Sequence, residues 1–441
     1  MVGQSREDDH ESKPEDQTIL SKDAKLILSW VLVNSIPIGY MNVVPLIYLV
    51  NVGYNPSLIG TIYALGAIAN TIGYIPFGML ADRYGRKVFI IVGGFLPFFS
   101  YAIFGLTLNP AWLIFASILG GIGLAGGLGV AINSTALLAL LTNTTTDKNR
   151  TFVFGVLQGS WISAVTIGSL LSFLPSILMS TFSLDSYTAH SYSYFIMSAF
   201  VAASTAIMLF VKEKKTDRSF VPPQTPSSKM SSWISNRLQI VSGKKILYFC
   251  IMFAFVGLAL GVIVQLIPTW YTLRFGTSET TAGLWIALAE FCGIFAVPLI
   301  PKLVKRGGTV FTSAATMIVS CIFLALMPLT GSFEIAAIFF VIRAVLTTVS
   351  WPILQSYMMG IVLERERATV TGITYTAWAL MSSVGTFLGG TLLGEGQLTL
   401  PFVFGVFGYV TSAVLLFLFF RKIKPPEELE VDLGSAEIRS G

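Results

Sequence analysis

The sequence is poor in charge. Only 12% of its 441 residues are Asp, Glu, Lys or Arg, about half the share of an ordinary soluble domain. So few charges cannot cover the surface of a globule this long, which excludes a soluble fold. Histidine and cysteine are also scarce, at two and three residues. His10 lies in a polar N-terminal stretch and His190 in a polar gap between apolar runs, so no metal-ligand spacing exists. Cys250, Cys292 and Cys321 sit inside apolar runs and read as small buried hydrophobes. No Gly-rich phosphate loop occurs, which disfavours ATP-driven pumping, and no nucleophile stands near a base. An enzyme and a signalling receptor with a soluble domain are both disfavoured, and neither cofactor, metal nor nucleic acid is expected. The apolar runs do not alternate as barrel strands would. No signal peptide is visible, and residues 1–25 are polar and acid-rich, as in a disordered cytoplasmic tail.

What the chain does have is length of apolar run. Hydrophobic residues make up 54% of it and mean hydropathy is +0.75. Runs of about 20 apolar residues match the thickness of a bilayer core. Twelve recur, at 26–50, 57–81, 88–107, 111–141, 152–180, 192–211, 246–273, 281–301, 310–330, 333–363, 369–394 and 398–420. The fold class is an all-α membrane protein with twelve transmembrane helices. A polar segment, 212–245, separates spans six and seven, and its Pro222, Pro223 and Pro226 mark it as a linker. Within it, "MSSWISNRLQIV" places Met230, Trp233, Ile234, Leu238 and Val241 on one helical face, so it is either an interfacial helix or a loop. All but two of the 28 Lys and Arg fall on one side of these spans; the exceptions are Arg274 and Arg343. This asymmetry places both termini, including the tail 421–441, in the cytoplasm of a plasma-membrane protein.

The sequence repeats itself. Shifted by 223 residues, Pro45 meets Pro268, Tyr48 meets Tyr271, Gly53 meets Gly276, and Gly60 meets Gly283. The same shift carries Leu80, Arg83 and Gly85 onto Leu303, Arg306 and Gly308. The chain is therefore expected to form two pseudo-symmetric six-helix bundles, 26–211 and 246–420. Two such bundles can rock about a shared site and expose it to each side in turn.

Between spans two and three stands "GMLADRYGRK", Gly78 to Lys87, followed by Ile90. It fills every defined position of the pattern G-x-L-a-D-r-x-G-r-k-x-x-l, and so resembles the loop 2–3 signature of the major facilitator superfamily. Gly85 permits the positive φ that so short a turn needs, and Gly78 permits close helix approach. The resemblance implies that Asp82, with Arg83 and Arg86, latches the first bundle to the start of span eleven near Arg367 and stabilises an outward-open state. The second copy, "LVKRGGT", carries Lys305 where the first has Asp82, so the latch is asymmetric. The resemblance also implies a secondary transporter, closest in character to drug/proton antiporters. Two family patterns are incomplete, however. Ser117 stands where such antiporters carry an arginine in span four, and span five has Gly159 and Gly168 but lacks the G-P and final G-G.

Ionisable residues within spans mark functional sites by default, because burial costs several kcal/mol. Glu290 and Arg343 both lie roughly 14–15 Å from the outer side at 1.5 Å per residue. Equal depth permits a pair; either Glu290 is the protonatable carboxylate, with Arg343 tuning it or binding an anionic substrate group, or the two form a static pair between spans eight and ten. Asn42 and Gln265 occupy equivalent repeat positions, and with Gln158 and Gln355 they offer amides to a substrate or to neighbouring helices. Tyr40, Trp161, Trp351, Tyr375 and Trp378 are candidate pocket aromatics, with packing roles the alternative. The expectation is a monomeric carrier in the lipid bilayer, exchanging small organic solutes by alternating access and exporting them against protons. Proton-coupled uptake of an organic anion or other metabolite is the alternative.

Overall fold

The computed structural model describes residues 22–143, 150–211, 243–363, 366–421 and 423. The linker expected at 212–245 lies almost wholly outside them, as do residues 1–21. Among the described residues every regular element is helical, and they group into twelve segments. In the first half these are α1 (Lys22–Met41, resumed over Val44–Asn51), α2 (Pro56–Tyr84), α3 (Arg86–Leu106), the interrupted α4 (Pro110–Leu119 and Leu128–Asn143), α5 (Arg150–Leu170, continued over Leu174–Phe182) and α6 (Ser186–Leu209). In the second they are α7 (Gly243–Val262, continued over Ile267–Phe275), α8 (Glu279–Ala296, continued over Ile300–Gly307), α9 (Thr309–Leu326), α10 (Phe333–Ile361), α11 (Arg367–Gly394) and α12 (Leu400–Phe420). Among the described residues, 10 segments are long and apolar enough to cross a membrane. The boundaries agree with the apolar runs to within a few residues except at α6, which starts at Ser186, capped by Asp185, rather than at 192, and at α8, which runs on to Gly307 rather than ending at 301.

The repeat is visible in backbone detail. α1 breaks at Asn42 and Val43 and restarts with a proline in its first turn, Pro45. α7 breaks at Ile263 to Leu266 and restarts with Pro268 in the same place. Proline suits a first helical turn, where its missing N–H has no partner to lose. α2 and α3 are joined by Gly85 alone, at φ 106°, and α8 and α9 turn at Gly308, at φ 74°. Both halves thus make their tightest turn at a position where a side chain would be strained.

The apolar core is divided unevenly. We call the end carrying Gly85 and Arg367 the basic end and the opposite end the outer end. Toward the outer end one buried cluster runs through both halves, from Tyr40 and Tyr194 to Trp270 and Phe402. Toward the basic end the buried residues form two large clusters and a small one of Ala296, Val349 and Ile353 within the second half. Of the two large clusters one, with Ile27, Leu140 and Met208, belongs to the first half. The other, with Phe249, Tyr357 and Phe420, belongs to the second. The bundles are fused on one side and separate on the other.

Candidate functional site

The seam between the bundles is built where the repeat puts glycine. At Gly60 on α2 a Cβ would stand 2.7 Å from the Thr386 carbonyl oxygen and 2.8 Å from Gly390 Cα, both on α11. At Gly283 on α8 it would stand 2.6 Å from the Ser169 carbonyl oxygen on α5. The two glycines are repeat-equivalent, and each brings its helix against the backbone of the other bundle. Between them the Thr269 hydroxyl donates to the Leu46 carbonyl at 3.0 Å. These residues are also separated by 223 positions, so the pseudo-twofold axis passes beside this hydrogen bond. Ser176 and Thr280 share a further hydrogen bond across the seam at 3.1 Å. Toward the basic end, by contrast, Gly155 and Gly159 on α5 and Gly372 on α11 face open space. The structure is closed at the outer end and open at the basic end.

Glu290 lies on α8, two helical turns from Gly283 and half-buried. Its Oε2 accepts the Ser169 hydroxyl at 3.2 Å. Ser169 is also the residue whose backbone meets Gly283, so this carboxylate sits at the crossing of α5 and α8. The possible pair with Arg343 is not formed. Arg343 is 3% exposed, donates from Nη2 to the Tyr409 hydroxyl at 2.8 Å, and lies 5.2 Å from the centroid of that ring. Its Nε is buried without a hydrogen-bond partner. Arg343 thus packs toward α12, inside its own bundle, although it lies at the depth of Glu290. Span counting gives depth but not the azimuth of a side chain, so equal depth permitted a pair without requiring one.

The amides divide similarly. Gln265 holds α7 to α11, its Oε1 accepting from Thr386 at 2.7 Å and Ser382 at 3.3 Å. Asn42 packs at the α1 break against Gly123 of α4. Gln158 is exposed near the open face of α5. Gln355 donates to the Tyr375 hydroxyl. Tyr375 belongs to an aromatic group with Trp351, 5.9 Å away, and Trp378, 6.3 Å away. All are partly exposed and come from α10 and α11. Tyr40 does not join them: it is fully buried and hydrogen-bonded to Ser193. In the first bundle a cavity of about 110 Å³ is lined by Asn34, Asn133, Ser134, Tyr101 and Trp161.

The loop 2–3 residues are placed at the basic end. Arg83 is exposed and lies over the Tyr84 ring at 5.4 Å. Gly78 and Arg86 are partly buried. Lys87 donates to the Leu209 carbonyl at 2.7 Å, tying α3 to the end of α6. Arg367 donates to the Met359 carbonyl at 3.0 Å. The Asp82 side chain, on which the expected latch depends, lies outside the described residues.

His190 was passed over in the sequence as a residue between spans. It is 3% exposed, within α6, and its Nε2 meets the carboxylate of Glu279 on α8 at 3.0 Å. A lone histidine and a glutamate 89 positions apart carry no local signal. Only the packing of the bundles joins them.

Two membrane-length helical bundles meeting at a pseudo-twofold seam are a family architecture. The chain belongs to the major facilitator superfamily: the family described as Major Facilitator Superfamily matches residues 29–386 and, overlapping, 275–437. The chain is 28% identical over 275 residues to the tetracycline resistance protein, class H, of Pasteurella multocida, covering 60% of this chain and 63% of that protein. It is 33% identical over 99 residues to the inner membrane transport protein YajR of Escherichia coli (strain K12), covering 22% of this chain and 20% of that one. It therefore spans less than two thirds of the length of these curated relatives. A bacterial homolog of the human lysosomal transporter Spinster, solved inward-facing and occupied, superposes with a TM-score of 0.69 at 15% identity, over 91% of this chain and 96% of that one. The nucleoside transporter NupG gives 0.64 at 12%, over 91% and 99%. At such identities the likeness is one of fold. The chain is a multi-pass membrane protein of this superfamily.

Proposed function

We propose that the protein exports small amphipathic solutes from the cytoplasm in exchange for protons. The observation that carries this reading is the position of Glu290. It is a half-buried carboxylate at the crossing of α5 and α8, and a serine hydroxyl is its hydrogen-bond partner. Protonation there changes a charge where the bundles must part, so proton binding and bundle movement are linked by position. The basic end is taken as cytoplasmic from the distribution of Lys and Arg, which makes the structure an inward-open state of a plasma-membrane protein working as a monomer. Solute would enter between the aromatic group at Trp351, Tyr375 and Trp378 and the polar cavity by Trp161, with Gln355 and Gln158 as hydrogen-bonding groups. These surfaces suit weakly polar, aromatic solutes, and the similarity to a tetracycline resistance protein supports the same class. Arg343 faces α12 and Tyr409, so anion uptake through it has no support in the geometry. In the outward-open state, Asp82 and Arg367 would form the latch.

The test is counterflow of labelled tetracycline and a panel of amphipathic aromatic solutes in proteoliposomes, with and without an imposed pH gradient. Exchange in both conditions and net movement only with the gradient supports the reading. Glu290→Gln should retain exchange and lose the response to the gradient; an unchanged response removes Glu290 from the coupling role.

A further inference from the structure

The pair His190 and Glu279 crosses the seam at its outer end and takes no part in the mechanism above. His190 belongs to the first bundle and Glu279 to the second, and they are 3% and 7% exposed. Nε2 of His190 lies 3.0 Å from both carboxylate oxygens. Tyr48 of α1 stacks on the imidazole, with centroids 3.8 Å apart and planes inclined by 14°. Such a stack favours a charged ring.

The hydrogen-bond partners assign the protons. Nδ1 lies 2.7 Å from the Ser186 carbonyl oxygen, which can only accept, and 3.5 Å from the Ser186 hydroxyl; the much shorter carbonyl contact calls for a hydrogen on Nδ1. Nε2 faces a carboxylate. Either Nε2 also carries a hydrogen and donates it, or the carboxyl group carries it and donates to Nε2. Both descriptions hold the same number of protons, one more than a neutral imidazole beside a free carboxylate. Without that proton a ring lone pair would face a buried anion, an arrangement that desolvation makes costly.

The surrounding groups do not replace it. The Glu279 charge reaches the hydroxyls of Tyr40, Tyr48 and Tyr194, which stay neutral below about pH 10. Tyr187 and Asp185 also act on Tyr48. Asp185 is held below the usual carboxylate range by hydrogen bonds from the Thr188 hydroxyl and N–H, and so stays anionic. Arg274, at the end of α7, is exposed.

We propose that His190 and Glu279 form a proton-binding outer gate. Closing the outer end takes up one proton from the outer solution, and reopening returns it. The inference rests on the reading of a proton-driven exporter, for which outer acidity would then favour return to the inward-open state after solute release. The proton bound here is a ligand of the gate; the one that crosses is assigned to Glu290. One proton per closure gives a ratio of closed to open that falls by up to about tenfold per pH unit as pH rises.

The test uses the full-length chain in lipid nanodiscs, with its three native cysteines replaced and spin labels at Phe182→Cys and Leu329→Cys. These sites are exposed, at 65% and 74%, on opposite bundles at the outer end. Pulsed electron resonance distances are read between about pH 5 and 8, the range in which histidine-based switches act. The outer-open fraction should rise with pH in the protein that retains the pair. It should be flat in His190→Gln and in Glu279→Gln, since an amide at either position completes the hydrogen bonds without a bound proton. A flat profile with the pair intact, or the same slope in both variants, overturns the proposal. The profile with the pair intact needs neither gate variant to fold. A gate that titrates in a carrier indifferent to a pH gradient overturns the exporter reading instead. A carrier driven by the gradient with a gate that does not titrate overturns this inference alone.

Discussion

Replacing Gly60 by alanine should hold the outer end open. The new Cβ would stand 2.7 Å from the Thr386 carbonyl oxygen and 2.8 Å from Gly390 Cα, against 3.4 Å for ordinary contact. Both obstacles are backbone, so no side chain can rotate away. α2 and α11 would have to separate by about 0.7 Å, and overpacking of this kind costs about 1–3 kcal/mol. The cost falls on the outer-closed state alone, because opening draws these helices apart. Alanine also favours a helix over glycine by up to about 1 kcal/mol, but α2 is helical in both states and that gain cancels. The closed-to-open ratio should therefore fall by about 5- to 150-fold. Labelling a cysteine introduced at Ser57, beside the Gly394 contact, with a membrane-impermeant maleimide reads the change directly. Faster labelling with slower solute exchange is the expected result. Labelling and exchange equal to those of the parent protein would refute the argument that backbone contact at Gly60 forms the outer closure.

Ser176→Cys with Thr280→Cys should form a disulfide that stops transport, restored by reductant, since the two hydroxyls lie 3.1 Å apart across the seam; continued transport in the oxidised form would show that the outer end need not open. Arg343→Met should leave solute KM unchanged and Tm equal or higher, because a buried guanidinium without a counter-ion is costly to retain; a selective rise in KM for anionic solutes would place Arg343 at the substrate. Asp82→Asn should keep binding and slow transport, measured as affinity against turnover in proteoliposomes; unaltered turnover leaves the loop a topology signal.

Much of the architecture was legible because it rests on periodic or repeated features. Apolar length gave the spans, and the repeat picked out Gly60, Gly283, Pro45 and Pro268, which mark the bundle contacts and the breaks in α1 and α7. Gly85 and Gly308 were readable for the same reason, since a one-residue turn needs a positive φ. The site was less legible. Depth could be counted for Glu290 and Arg343, but which neighbour each faces depends on helix rotation, and they face different helices. Gln265 proved to join α7 to α11 because its partners Ser382 and Thr386 lie more than a hundred residues away. His190 and Glu279 had no signal short of the assembled seam.

The central claim is that proton movement and bundle rocking are joined at Glu290. Its most direct measurement is the proton-to-solute exchange of the purified carrier in proteoliposomes holding a pH-sensitive dye, with tetracycline as the first solute. The account predicts solute-dependent proton flux opposite in direction to the solute, abolished in Glu290→Gln while solute counterflow persists. Solute-dependent proton flux of the same size in Glu290→Gln would contradict it.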